Sequence, residues 1–373
     1  MRDPDAPPIL VMKDGGMTSA PNPTCLAVIG AGQMGRQHAA LIAAHKDCSL
    51  AAICDNDPTA RSVANRFGVP FYGTVPELLN GERPHGTIHG AIIATPNAEH
   101  APDAVRCIQQ GVPVLIEKPI AESLAAARQI IDASQETGTA VLVGHHRRHN
   151  PLVRQTKEIL QSDALGRLVG VSVLWTLCKP DDYYDLAWRC TPPAGGPTLI
   201  NLIHELDSLR YWCGEILEVF AHASSATRRL QVEDSLAISL RFENGVLGSI
   251  FASDTTPAPW SYEATTGENP RYHTTSEDCY HFFGSQGSLT FPQLNVWSYP
   301  AGSPRGWQQP LTTQRSSCDA EDPLPIQLDH FLNVAQQRET PLVDARDASR
   351  SLATALAVLD SATQHKPISV ETP

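Results

Sequence analysis

Short apolar runs alternate with amphipathic stretches between residues 25 and 144. Continuous apolar runs are typical of strands buried on both faces, and apolar residues spaced by three and four predict helices. The pattern predicts strands over residues 25–30, 48–54, 90–94, 113–116 and 140–144, and helices over 33–44, 58–67, 75–79, 99–110 and 124–137. Strand and helix alternation of this kind predicts a parallel sheet covered by helices on both faces.

The pattern changes after about residue 150. Helices are predicted over residues 152–160, 197–212, 325–337 and 345–363, and strands over 168–177, 219–224, 235–242, 246–253, 279–283, 288–291 and 294–299. Asn244-Gly245 between two of these strands indicates a hairpin. This half therefore predicts an α+β domain with a largely antiparallel, open sheet.

The same patterns divide the chain into three parts. Residues 1–23 lack periodicity and predict a disordered tail, residues 24–145 form the first domain, and residues 146–373 form the second. The polar stretch 254–278 is either a disordered loop or an arm that reaches a neighbouring subunit.

Composition excludes several function classes. The 373 residues contain 28 Lys and Arg against 40 Asp and Glu, a net charge of −12, which disfavours nucleic acid and anionic membranes as partners. No apolar run is long enough for a transmembrane helix. Nine cysteines without a C-x-x-C pair predict reduced thiols in a cytoplasmic protein.

A glycine motif follows the first predicted strand and opens the first helix. It consists of Gly30, Ala31, Gly32, Gln33, Met34 and Gly35. In such a motif the first glycine permits a tight turn, the second lets the backbone approach a pyrophosphate, and the third allows close packing of helix on strand. The motif predicts dinucleotide binding at the helix N-terminus.

Asp55 ends the second predicted strand. A carboxylate there would hold the adenosine ribose hydroxyls and repel a 2′-phosphate, and no arginine follows it directly. The sequence therefore predicts NAD as cofactor in preference to NADP.

Further motifs follow the later strands. In chain order they are Thr95-Pro96-Asn97 with His100, then Glu117-Lys118-Pro119, then Gly195-Gly196 before a helix that carries His204 and Asp207. Together with the glycine motif, they resemble the glucose–fructose oxidoreductase/inositol dehydrogenase (Gfo/Idh/MocA) family over residues 24–370. The resemblance implies a Rossmann NAD(P)-binding domain, an α+β substrate domain, and a homodimer or homotetramer.

The resemblance also implies roles for particular residues. Lys118 and His204 are expected to line the site where a substrate C–OH gives up a hydride, with one of them taking the hydroxyl proton. The first-domain residues expected to contact the cofactor are the glycine motif, Asp55, Thr95, Pro96, Asn97, His100, Glu117 and Lys118.

The helix over residues 197–212 has a polar face opposite its leucines. At about 100° per residue, Asn201, His204 and Ser208 fall together there, facing either the cleft or solvent. Many family members carry Asp four residues before the histidine, where this chain has Ile200. Asn201 cannot be a base and is expected to orient substrate hydroxyls or to hold the His204 tautomer. Asp207 is a secondary candidate for substrate binding.

The stretch from His145 to Asn150 is rich in histidine. No metal is predicted, because adjacent histidines on an extended chain point to opposite faces and no carboxylate completes a ligand set. His146 and Arg189 are candidates for substrate binding. Arg189 with Arg147 and Arg148 would suit a substrate carboxylate, although Arg147 and Arg210 are rather expected in structural ion pairs.

Three functions fit these observations. The first is an NAD(P)-dependent dehydrogenase of a sugar, sugar acid or cyclitol. The second is a dehydrogenase of a cyclic cis-diol of an aromatic acid. The third is a non-catalytic sensor of NAD or sugar, which retention of Lys118 and His204 disfavours.

Overall fold

The first domain is a six-stranded parallel sheet. The computed structural model describes residues 23–81, 87–318 and 321–371, so the predicted disordered tail lies outside the described residues apart from residue 23. The strands are β1 (Thr24–Ile29), β2 (Cys48–Cys54), β3 (Phe71–Tyr72), β4 (Gly90–Ile93), β5 (Val114–Ile116) and β6 (Val141–Val143). The helices are α1 (Gln33–Ala44), α2 (Arg61–Phe67), α3 (Val75–Asn80), α4 (Asn97–Gln109) and α5 (Leu124–Thr137).

The strand order β3-β2-β1-β4-β5-β6 confirms the predicted α/β fold. The direction of winding reverses between β1 and β4, and ligands of such sheets bind in the crevice that opens there, beyond the carboxyl ends of the strands. The glycine motif leaves β1 at that point.

The second domain is a nine-stranded sheet in the order β14-β13-β12-β11-β7-β10-β9-β8-β15. All its pairs are antiparallel except β7 with β10, which confirms a largely antiparallel sheet. The strands are β7 (Leu168–Thr176), β8 (Ile216–Ser224), β9 (Ser235–Phe242), β10 (Leu247–Ser253), β11 (Tyr280–Gly284), β12 (Gly287–Phe291), β13 (Asn295–Ser298), β14 (Thr312–Arg315) and β15 (Ile368–Ser369).

Five α-helices of the described residues follow β6, and four of them cover one face of this sheet. They are α6 (Pro151–Gln161), α7 (Ile203–Cys213), α8 (Tyr262–Thr266), α9 (Pro323–Ala335) and α10 (Ala345–Gln364). Helix α9 instead packs on the first domain, where Phe331 joins the buried cluster of Leu26 and Val28. The C-terminal part of the chain thus completes the core of the first domain. No helix of the described ranges is long and apolar enough to span a membrane.

The structure adds the short strands β3, β14 and β15 to the predicted elements and differs from them in three further places. Residues 146–149 form a 3₁₀ turn, and residues 198–202 form one π-helical turn that leads directly into α7. The stretch 254–278 is not a disordered loop, because it contains α8 and contacts its own chain through Glu268, while its reach to a neighbouring subunit stays a prediction. A pattern of apolar residues cannot register the one extra residue of a π-turn.

Candidate active site

The glycine loop has the geometry that dinucleotide binding requires. Gly30 has φ +92°, and a Cβ there would lie 2.5 Å from the Ala94 carbonyl carbon. A Cβ on Gly35 would lie 1.8 Å from the carbonyl oxygen of Gly30, so α1 packs directly against the turn. A Cβ on Gly32 would meet nothing within 4 Å. The open space above Gly32 fits a pyrophosphate at the N-terminus of α1, where Gln33 and Met34 are accessible.

Asp55 lies at the carboxyl end of β2, beside this loop. Its Oδ2 accepts a 2.6 Å hydrogen bond from the Ala31 amide, and its Oδ1 accepts one from the Asp57 amide. The carboxylate is partly exposed and keeps lone pairs for further donors. Asp55 therefore has free acceptor capacity beside the glycine loop, as the predicted contact with the adenosine ribose requires.

Two residues expected to contact the cofactor are buried instead. The His100 ring lies between the carbonyl oxygens of Thr95, at 2.8 Å, and Pro119, at 2.9 Å. Glu117 pairs with His38 of α1 at 2.7 Å. Their contacts correct the prediction, because both side chains anchor the loops around the crevice. Thr95, Pro96 and Asn97 remain accessible on the loop after β4.

Electrostatics keep Glu117 ionised. Burial alone would raise its pKa, but the hydrogen bond from His38 and the charges of His38 and Lys118 lower it to about 2. The anion therefore stays beside the backbone of Lys118, whose amide lies 3.3 Å from Glu117 Oε2.

Lys118 crosses from the first domain to the second. Its Nζ donates a 2.9 Å hydrogen bond to the main-chain carbonyl of Ile200 in the π-turn. Burial lowers the pKa of Lys118, the charge of Glu117 opposes that shift, and the charge of Arg147 adds to it. The amine is thus held by a neutral partner and loses its proton more readily than an exposed lysine does.

His204 stands in a group of histidines beside Lys118. The centroid of its ring is 5.0 Å from that of His146 and 6.3 Å from that of His145. Burial and the charge of Lys118 lower the pKa of His204 well below its usual value. Its Nδ1 is buried and has no hydrogen-bond partner among the described residues. The ring is therefore neutral, and its Nδ1 has an unused hydrogen-bonding capacity.

Asn201 does not hold the His204 tautomer. Its Oδ1 accepts a 2.7 Å hydrogen bond from Lys179 Nζ. Lys179 was not among the predicted site residues. The other alternative, that Asn201 orients substrate, is compatible with this contact.

The polar face of α7 was predicted to meet either the cleft or solvent, and the structure excludes solvent. Ser208 and Asp207 are buried, as are the residues on the leucine side. Asp207 accepts hydrogen bonds from Arg148 at 2.7 and 2.9 Å and from the Ser351 hydroxyl at 2.8 Å. These contacts make Asp207 part of a structural ion pair and correct its assignment to substrate.

The predicted arginine cluster for a substrate carboxylate is also wrong in part. Arg147 pairs with Glu205 and Glu263, and Arg148 pairs with Asp207 and Asp347. Arg210 pairs with Glu215 and Asp347, as expected of a structural residue. Arg189 stacks on the ring of Tyr183 at 4.0 Å and donates to its carbonyl. Only Arg189 lacks a carboxylate partner in the described part of this group.

The stretch 254–278 adds a residue that the sequence did not single out. Glu268 Oε1 lies 3.2 Å from His146 Nε2, while its Oε2 accepts from Asn150 and from the Tyr262 hydroxyl. The contacts with His146 and Asn150 are far apart in the chain and follow no motif, so no sequence signal could have found them.

The rings of His145 and His146 do not have the orientation predicted for an extended chain. His145 and His146 begin a 3₁₀ turn, and both rings approach His204, so they do not point to opposite faces. Within the described ranges, no group of three His, Cys, Asp or Glu side chains could hold a metal ion.

The fold and the glycine loop together define a class of protein. It comprises the dinucleotide-binding α/β proteins in which a second domain lies over the sheet edge that binds the nucleotide. Residues 25–145 match the oxidoreductase family with an NAD-binding Rossmann fold, and residues 153–290 match the GFO/IDH/MocA C-terminal domain. The chain belongs to the GFO/IDH/MocA family of oxidoreductases. The predicted fold class and the NAD-binding domain are thereby confirmed.

Similar proteins act on cyclitols and sugars. The inositol 2-dehydrogenase of Rubrobacter xylanophilus is 31% identical over 60% of this chain and 63% of its own length. The scyllo-inositol 2-dehydrogenase (NAD(+)) of Bacillus subtilis is 24% identical over 92% of this chain and 96% of its own. The chain spans about three fifths of the first curated relatives that it matches.

Solved structures agree on the fold. The WlbA dehydrogenase of Bordetella pertussis, in complex with NADH and UDP-GlcNAcA, has a TM-score of 0.76 at 22% identity. The match covers 94% of this chain and all of that one. At this identity the likeness shows the fold alone.

Two glycine variants separate binding from folding. We expect Gly32→Ala to keep the melting temperature but to weaken NADH binding at least tenfold, because the added Cβ enters only the open space above the loop. Gly35→Ala should lower the melting temperature, since its Cβ would strike the carbonyl oxygen of Gly30. Thermal unfolding and NADH fluorescence titration measure the two effects. Unweakened NADH binding by Gly32→Ala would place the pyrophosphate elsewhere.

Proposed function

We propose that the protein is an NAD-dependent dehydrogenase of a secondary alcohol on a small polyhydroxylated molecule, acting in the cytoplasm. The observation that carries this proposal is the meeting of Lys118 and His204 at the carboxyl edge of the NAD-binding sheet. NAD supplies the hydride acceptor there when bound. The residues of the chain bind the alcohol, orient it and take its proton.

Lys118 is the proposed proton acceptor. Its lowered pKa gives a larger neutral fraction than an exposed lysine has, and its hydrogen bond to a carbonyl does not stabilise the charged form as a carboxylate would. His204 is neutral at physiological pH and offers a ring nitrogen to the same hydroxyl. We therefore assign proton transfer to Lys118 and hydroxyl binding to His204.

The charge balance of the cleft favours a neutral polyol as substrate. Arg147 and Arg148, which would have bound a carboxylate, are already paired with carboxylates of the chain. The inositol dehydrogenases among the relatives support a cyclitol or sugar. A cyclic cis-diol of an aromatic acid is not favoured, because its carboxylate would find only Arg189. A sensor role is not favoured either. The chain retains both Lys118, in the first domain, and His204, in the second, and the proposed proton transfer needs both.

The open face of the second sheet is the proposed interface between copies of the chain. By strand register, five apolar side chains share the face away from the helices: Leu174, Leu247, Phe251, Phe283 and Trp297. Phe251 and Phe283 are each 46% exposed, and Leu247 is 61% exposed. Apolar surface of this kind packs on its own copy across a two-fold axis, which supports a homodimer or a homotetramer built from it.

Replacing Lys118 tests the chemistry. NADH formation is first measured across inositols, sugars, sugar acids and dihydrodiols. We expect Lys118→Met to lower kcat by about a hundred- to ten-thousand-fold and to leave NADH affinity nearly unchanged. Lys118→Arg should not restore turnover, because a guanidinium does not deprotonate. The exposed Lys46→Met is the matched control. Near-normal kcat in Lys118→Met would move proton transfer to His204.

The pH profile gives the sign of the Lys118 effect. A base must be deprotonated, so kcat/KM for oxidation should rise with pH. Because the pKa of Lys118 is lowered, the rise should be centred below the usual lysine value of about 10.4.

Asp55 is tested by cofactor preference. Asp55→Asn keeps an acceptor for the Ala31 amide but removes the charge that would repel a 2′-phosphate. We expect the ratio of NADP to NAD dissociation constants to fall by about tenfold or more, which is about 1.4 kcal/mol. Calorimetric titration with both cofactors measures it. A wild type that binds NADP more tightly contradicts the role of Asp55.

The interface is tested with one charge. Phe251→Glu places a carboxylate in the centre of the apolar face and should convert the assembly to monomers, as measured by light scattering after size exclusion. Trp307→Glu is the matched control, because Trp307 is 95% exposed but lies outside the sheet. An unchanged mass for Phe251→Glu would rule out this face as the interface.

A further inference from the structure

Lys179 is a buried lysine beside Asn201. It follows β7, and its side chain is 8% exposed. Its Nζ lies 2.7 Å from Asn201 Oδ1, 3.5 Å from Asp254 Oδ2 and 4.5 Å from the centroid of the Tyr183 ring. An ammonium group costs free energy to bury, so a lysine in this position needs a reason to be there.

The direction of the hydrogen bond fixes the orientation of the asparagine. An ammonium group only donates, so Asn201 must turn its oxygen toward Lys179. The amide nitrogen then points away from Lys179. Asn201 follows Ile200, whose carbonyl holds Lys118 Nζ, so its carboxamide stands one residue from the anchor of the proposed proton acceptor.

We propose that Lys179 is a positioning residue, which locks the Asn201 carboxamide so that its N–H groups donate to an acceptor oxygen of the substrate. The proposal rests on the proposed dehydrogenase function and deepens it. It assigns Asn201 as a hydrogen-bond donor only, and it requires a hydroxyl or carbonyl oxygen on the substrate beside the reacting carbon.

The surroundings of Lys179 support a fixed charge. Asp254 is its counter-ion, and that carboxylate is held in turn by the Tyr184 hydroxyl and by Arg228 Nε at 3.1 Å. Burial lowers the pKa of Lys179 to about 8, while Asp254 and Glu263 oppose the shift and Arg228 adds to it. Lys179 is thus charged at neutral pH and donates its hydrogen bond to Asn201 at that pH.

A purely structural role for Lys179 would leave one contact unexplained. Asp254 already has Arg228, which donates to it from Nε and to its main-chain oxygen at 2.6 Å from Nη2. The shorter of the two Lys179 contacts goes to Asn201, not to Asp254. The lysine is therefore better placed to hold the amide than to neutralise the acid.

The KM and kcat of variants, measured with a substrate that the wild-type enzyme oxidises, test the proposal. We expect Lys179→Met and Asn201→Ala each to raise KM by about three- to tenfold, the range of one hydrogen bond, with a smaller fall in kcat. If Lys179 acts through Asn201, the double variant should be no worse than Asn201→Ala alone. Lys157→Met is the matched control, because Lys157 is half-buried over the Tyr211 ring and donates to its carbonyl. Additive effects in the double variant would overturn the proposal.

A structural readout works without any substrate. In crystals of the Lys179→Met variant diffracting to about 1.2 Å or better, where hydrogens begin to show, the Asn201 carboxamide should be flipped or disordered. An Asn201 that keeps its orientation would overturn the proposal. If no alcohol in the panel yields NADH, the proposed function fails, and the crystals still decide the role of Lys179.

Discussion

Two adjacent buried arginines determine how the two domains meet. Arg147 and Arg148 leave the turn after β6, and a guanidinium in a dry interior must meet carboxylates with good geometry. Arg147 Nη1 lies 2.7 Å from Glu205, and Arg148 makes two hydrogen bonds to Asp207. Both acids belong to α7, so the two pairs fix the rotation and height of that helix relative to the turn at which the first domain ends. His204, the residue just before Glu205, is thereby fixed near Lys118, which follows β5 by two residues.

The π-turn ahead of α7 has a chemical consequence. π-helical turns are often found at functional sites, where the extra residue alters which backbone groups are presented. Here the carbonyl of Ile200 is presented to Lys118. Because the partner is a neutral dipole and not a carboxylate, burial still lowers the pKa of the amine, although the charge of Glu117 opposes that shift. An apolar residue four before the histidine is thus compatible with a lysine that acts as the base.

Much of the fold was predictable because its signals are local. The strands of the first sheet are continuous apolar runs, and the glycine loop and Lys118 follow them directly. The contacts that hold the site residues in place were not predictable. Lys179 meets Asn201 and Glu268 meets His146 only after the chain has folded, at separations of 22 and 122 residues. The 3₁₀ turn at His146 was not predictable either, so the side-chain directions predicted for His145 and His146 on an extended chain were wrong.

The cations of the cleft differ in what balances them. Arg147 has Glu205 and Lys179 has Asp254. The amine of Lys118 instead donates a hydrogen bond to a carbonyl, and the charge of Glu117 only partly opposes the lowering of its pKa. An alcohol that loses its proton develops negative charge on oxygen, and such charge is stabilised most by a donor that is not already committed to an anion. In the proposed function, an alcohol bound between Lys118 and the neutral ring of His204 would lose its proton beside such a donor.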